Sequence, residues 1–77
     1  MDEWLSERAD ELAATSGSER KQLELDAADE QILLDLARIA AHESGERTNA
    51  PLLCYLVGRA QGDRTLAELA EIVRSTS

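Results

Sequence analysis

Residues 27–44 constrain the fold more tightly than any other stretch of the chain. Ile32, Leu33, Leu34, Leu36, Ala37, Ile39, Ala40 and Ala41 recur with the period of an α-helix. At about 100° per residue they sweep more than half of its circumference. Gln31, Asp35, Arg38 and His42 share the stripe that is left. A helix apolar over that arc needs neighbours on two sides, so this segment is expected at the centre of an all-α fold. Asp26, followed three residues later by Asp29, offers a capping arrangement at its start, and Gly45 a left-handed cap at its end.

The remaining elements follow from the same signals. Asp2 can cap a first helix over about 2–14, with Trp4, Leu5, Ala9, Leu12 and Ala13 on one side. Thr15-Ser16-Gly17-Ser18 ends it, and residues 15–25 read as a linker with room for a short helical turn. A third helix is expected over about 50–61, with Asn49 or Ala50 as its cap and Pro51 in its first turn, where the missing N–H costs nothing. Its expected core stripe is Leu52, Leu53, Leu56, Val57 and Ala60, with Cys54, Tyr55 and Gly58 on the other side. Gly62-Asp63-Arg64 breaks the chain. Thr65-Leu66-Ala67-Glu68 is a capping box opening a fourth helix over about 66–74, with Leu66, Leu69, Ala70, Ile72 and Val73 on one face. No run reads as a strand, so the expected architecture is a small bundle of four helices.

Length and composition set how well such a bundle can close. The chain has 77 residues, enough for one domain and too few for a second core. Of its apolar residues twelve are alanine, and only seventeen are Leu, Ile or Val. That share lies just above the roughly one-fifth below which a highly charged chain stays disordered. Folding is expected, with little apolar surface to spare.

Charge excludes several functions. Sixteen acidic against eight basic residues give a net charge of −8, which disfavours phosphate backbones and anionic lipid as partners. Residues 1–30 hold −7 of it, residues 31–62 are neutral and residues 63–77 carry −1. The acidic first third is expected to be a solvated surface that contributes little to folding. Thr65–Val73 has the look of the opening helix of a helix-turn-helix domain, but no basic recognition helix follows it, so DNA binding is not expected. No apolar run approaches the length needed to span a bilayer. The start Met1-Asp2-Glu3 lacks the basic and apolar regions of a secretory signal, so the cytoplasm is the expected compartment.

The chemistry-bearing residues are few. One Cys excludes an internal disulfide, and one His with one Cys falls short of a zinc ligand set. Neither lies beside a glycine-rich turn that could form an oxyanion hole, and no phosphate-binding loop is present. The expectation is therefore a protein that is not an enzyme, with no catalytic residue, no cofactor and no metal. His42, in the last turn of the second helix, complements that helix's C-terminal dipole, and it shares the polar stripe with Arg38. Gly58, in mid-helix, costs about 1 kcal/mol relative to Ala, so the missing side chain reads as room for a close neighbour, inside the chain or from a partner. Tyr55, one turn earlier, combines an apolar body with a polar tip, as interfaces favour, and Arg47 and Arg59 can line its rim. Arg38, His42, Arg47, Tyr55, Gly58 and Arg59 are the candidate interaction surface.

The runs Leu33-Leu34-Asp35-Leu36-Ala37-Arg38, Ala41-His42, Glu46-Arg47, Ala50-Pro51-Leu52 and Tyr55-Leu56-Val57-Gly58, with Trp4-Leu5 at the start, carry a resemblance. Over roughly residues 1–62 the chain resembles a small actinobacterial helical domain family of uncharacterised function, found alone or attached to molybdenum cofactor guanylyltransferase. Leu53 and Cys54 stand where that family has small hydroxyl residues, and the polar segment from Ser18 to Asp29 is longer than its usual one. The resemblance implies an accessory role near molybdenum cofactor biosynthesis, with the guanylyltransferase as a protein partner, and supplies no catalytic residue. The alternative is a self-associating domain, a homodimer through helix three.

Overall fold

A computed structural model describes residues 1–76. They form four α-helices, α1 (Glu3–Ser16), α2 (Ala27–Ser44), α3 (Asn49–Ala60) and α4 (Leu66–Thr76), with a single 3-10 turn at Arg20–Leu23. No strand occurs among the described residues, and the all-α class is as expected. The chain packs as two compact units, Met1–Glu30 and a second from Gln31 onward.

In the first unit the Asp2 carboxylate accepts from the Leu5 backbone N–H at 2.8 Å and caps α1. The helix runs two residues past its expected end, because the first residue in the left-handed conformation is Gly17, at φ 81°. There the Gly17 N–H donates to the Ala13 carbonyl at 3.1 Å. The expected apolar side of α1 does not hold. Ala9 is buried and Ala13 half-buried, whereas Trp4, Leu5 and Leu12 remain 62%, 40% and 61% exposed. The inward side runs through Ser6 and Ala9 instead, because Arg20 folds back onto the polar edge of α1. The Arg20 guanidinium donates to Asp10 at 2.6 Å, to the Ser6 hydroxyl at 3.0 Å and to Glu24 at 2.9 Å. The hydrogen bond that Arg20 donates to Asp10 leads the causes that raise the Arg20 pKa further above its ordinary value. The Met1 ammonium pairs with Glu30 at 3.2 Å. These acids stay at the surface, with the Asp10 and Glu24 side chains 68% and 60% exposed, and form ion pairs there.

In α2 the expected capping arrangement forms in both directions. The Asp29 N–H donates to the Asp26 carboxylate at 2.8 Å, and the Asp26 N–H donates to Asp29 at 3.3 Å. Leu36 is fully buried and Ala40 nearly so, while Leu34 is 66% exposed. The Gly45 N–H closes the helix on the Ala41 carbonyl at 3.0 Å.

Helix α3 begins at Asn49, which is not its cap. Thr48 holds that position without a side-chain hydrogen bond. The first turn is tied instead by backbone donation from Asn49 to Glu46 and from Ala50 to Arg47, at 3.0 and 3.1 Å. Its core stripe also differs from expectation. Val57 is buried and Leu53 and Cys54 are half-buried, but Leu52 and Leu56 are 59% and 60% exposed, and Ala60 lies outside as well. A helix apolar almost all round can present either of two faces. The one turned inward carries the small residues Ala50 and Cys54, and the Cys54 thiol donates to the Leu33 carbonyl of α2 at 3.7 Å. Helix α4 is as expected at its start, with the Thr65 hydroxyl accepting from the Glu68 N–H at 3.1 Å. Leu66, Leu69 and Ala70 are buried, and Ile72 is 47% exposed.

Candidate interaction surface

The turn of α3 that buries Cys54 leaves Leu52, Tyr55 and Leu56 outside, and an open groove forms beside them within the second unit. Its volume is about 310 Å³. Ile39 and Ala40 of α2, Leu52, Leu53 and Leu56 of α3 and Val73 of α4 supply its apolar walls, and Glu43 is the one ionisable side chain in its lining. The groove lies at the C-terminal ends of α2 and α4 and the N-terminal half of α3.

The six candidate residues do not converge on one place. Counting rotation along α2, Arg38 and His42 leave the helix on the side opposite Leu36 and Ala40, and both are exposed. Arg38 pairs with Asp35 at 3.3 Å. Arg47 lies in the connection between α2 and α3, beside a shallow depression formed with Gly45, Glu46, Thr48 and Pro51. Tyr55, Gly58 and Arg59 do come together, on the outer side of α3. The Tyr55 ring is 64% exposed, and the Arg59 guanidinium carbon sits 5.6 Å from its centroid, within cation–π range. A Cβ added at Gly58 would meet nothing within 4 Å, so no other part of the chain uses the space that this glycine leaves.

Sequence reasoning missed that α1 carries the same pattern as α3. Trp4-Leu5 is followed by Arg8 with the spacing that separates Tyr55-Leu56 from Arg59. Arg8 lies 5.0 Å from the Trp4 ring centroid. The repeat of aromatic, leucine and, four positions after the aromatic, arginine is legible in the sequence once the two helices are aligned. It marks two exposed stripes whose aromatic and arginine residues are of the types enriched in binding hot spots.

Cys54 is a poor nucleophile: burial pushes its thiol pKa up, against the lowered value that reactive cysteines need. Among the described residues no group of three or more His, Cys, Asp or Glu side chains could hold a metal ion. No helix among them is long and apolar enough to cross a membrane.

These features define a small all-α domain with an open apolar groove on its second unit. The chain belongs to the family described as a domain of unknown function, DUF6457, whose model matches residues 1–77. No curated protein matches the chain, and no solved structure does.

Proposed function

We propose that the chain is a non-enzymatic interaction module that docks a protein partner through its α2–α3 region. The observation that carries this reading is the groove beside α3, where Leu52 and Leu56 stay about three-fifths exposed although the chain has few large apolar side chains. The partner in this reading is the molybdenum cofactor guanylyltransferase, and what supports that choice is the resemblance carried by the Leu33–Arg38 and Tyr55–Gly58 runs. The reading takes the chain as cytoplasmic, where its single unpaired cysteine would stay reduced.

The test is calorimetric titration of the chain with the purified guanylyltransferase of its own host. Saturable binding is expected, abolished by Leu56→Asp and retained in Gln31→Ala, an exposed position on the side of α2 opposite Leu36 and Ala40 and at the other end of the helix from the groove. Absence of binding, or binding that Leu56→Asp leaves unchanged, overturns the proposal. Self-association through α3 is the second reading. The uneven charge favours it: residues 31–77 carry only −1 of the net −8, so two copies can approach through the second unit with little repulsion.

A further inference from the structure

Glu43 stands where helix electrostatics alone would not put it. It lies in the last turn of α2, the end at which the helix dipole favours cations and opposes a carboxylate. Among the described residues no ion pair reaches it; the arginines and the terminal amine that do pair reach Glu7, Asp10, Glu24, Glu30 and Asp35 instead. Glu43 is also the one ionisable side chain in the lining of the apolar groove. We infer that the groove takes the apolar side of a partner's amphipathic helix that carries a lysine or arginine at its edge, where the cation pairs with Glu43. This rests on the docking reading above and names the chemistry of the segment that docks.

An open trough walled by helices suits another helix better than a small molecule, which needs about 70–90% of its surface enclosed. A helix laid along it offers apolar side chains one turn apart, the spacing of Leu52 and Leu56 on α3, with Ile39 and Val73 among the facing walls. Charge then decides the residue at the edge. Glu43 is exposed, so water solvates its carboxylate in the free chain. Seating an apolar helix beside it strips part of that water, and a carboxylate left without a counter-charge opposes docking. A lysine or arginine at the edge replaces the lost hydration with an ion pair and complements the C-terminal dipole of α2. A glutamate there meets a like charge, so the groove discriminates between segments by sign. The net charge of −8 favours approach of a basic segment in the same sense.

Fluorescence anisotropy with two labelled synthetic peptides, each about 16 residues long so that a helix can form, tests the pairing. Both carry leucines at i, i+3, i+4 and i+7 among neutral polar residues; one has lysine and the other glutamate at the edge of the leucine row. At about 0.15 M salt, where screening acts over about 8 Å, the full chain is expected to bind the lysine peptide at least about fivefold more tightly than the glutamate peptide. Glu43→Gln should bring the two affinities within about twofold, and Glu43→Lys should reverse the preference. Neither should lower the urea midpoint of folding, since both remove a carboxylate from the end of α2. Asp63→Asn removes the same charge from the connection between α3 and α4, at the ends of those helices away from the groove, and should leave the preference intact. Leu56→Asp should abolish binding although it adds negative charge. The inference is overturned if neither peptide binds, if the two bind alike, or if Asp63→Asn acts as Glu43→Gln does. It is overturned too if the parent chain dimerises alone in sedimentation equilibrium and Leu56→Asp dissolves the dimer, which makes a second copy the occupant. Titration with the guanylyltransferase judges the other reading separately. Selection of the lysine peptide without binding to that protein removes it as the partner and supports the ion pair, whereas binding to it that Glu43→Lys leaves unchanged keeps the partner and overturns the ion pair.

Discussion

Leu34 and Leu36 lie two positions apart on α2 and are chemically identical, so replacing each by alanine measures the orientation of that helix directly. Leu36 is fully buried and Leu34 is 66% exposed. Truncating a fully buried leucine removes about 2–3 kcal/mol of transfer free energy and leaves a cavity, for a total of about 3 kcal/mol, within the usual 2–5. A chain of this length has a total stability of about 4–12 kcal/mol, so Leu36→Ala takes a large share of it. Leu34 loses only about one-third of that transfer term, and alanine's better helix propensity returns a few tenths, which leaves about 0.5 kcal/mol. Urea titration followed by far-UV circular dichroism reads both. With a slope of about 1 kcal/mol per molar urea, the expected midpoint shifts are about 3 M for Leu36→Ala and about 0.5 M for Leu34→Ala. Equal losses would mean that α2 is rotated from the orientation described, and the groove built on Ile39 and Ala40 would fall with it.

Other substitutions probe the remaining elements. Thr65→Ala removes the hydroxyl that accepts from the Glu68 N–H and should cost about 1 kcal/mol in the same titration; a change within error would show that α4 starts without its cap. Asp10→Asn should lower the midpoint of the chain, because it weakens the contact that ties Arg20 to α1, whereas Glu7→Gln, at an exposed pair with Arg8, should stay within about 0.5 kcal/mol; equal effects would refute the distinction. Cys54 predicts a pH dependence. Burial raises its thiol pKa in the folded chain, so the unfolded chain loses that proton first as pH rises. The stabilisation is present in full below the ordinary thiol pKa and declines as pH climbs through it toward the folded value. Urea midpoints from neutrality to about pH 10 should therefore fall more steeply for the parent than for Cys54→Ala, and parallel slopes would refute the assignment.

Helix existence was legible in this sequence because it rests on local signals. The Asp26/Asp29 and Thr65/Glu68 caps and the left-handed glycine at 45 lie where the sequence pattern puts them. Helix rotation was legible on α4, where Leu66, Leu69 and Ala70 are buried as expected, and not on α1 and α3. A helix that is apolar on most of its circumference, as α3 is, has no unique inward face until its neighbours are placed. On α3 the inward side carries Ala50, Leu53, Cys54 and Val57, while Leu52 and Leu56 face out. On α1 the long-range contact from Arg20 to Ser6 and Asp10 set the rotation against Trp4 and Leu12. Ten residues separate Asp10 from Arg20, and no helical period reports such a pairing. Of the candidate surface, Tyr55, Gly58 and Arg59 were found together because an unexplained mid-helix glycine is a local anomaly. Arg38 and His42 were grouped with them only by polarity, and neither lines the groove.

The two stripes of aromatic, leucine and arginine show how charge sorts surfaces that residue chemistry leaves equal. Trp4 and Tyr55 are exposed to nearly the same extent, and each carries an arginine four residues on. What differs is the surrounding field. Glu3, Glu7 and Glu11 flank the stripe on α1, in a segment of net charge −7, while the segment that holds α3 is nearly neutral. At physiological ionic strength screening acts over about 8 Å, so carboxylates brought within one interface still repel. Two α1 stripes would press like charges together, and such a face selects a basic partner or none. Two α3 stripes bring no carboxylates together, and the like charge they present is one arginine each, Arg59. The same three residue types are thus compatible with self-association in the second unit and opposed to it in the first.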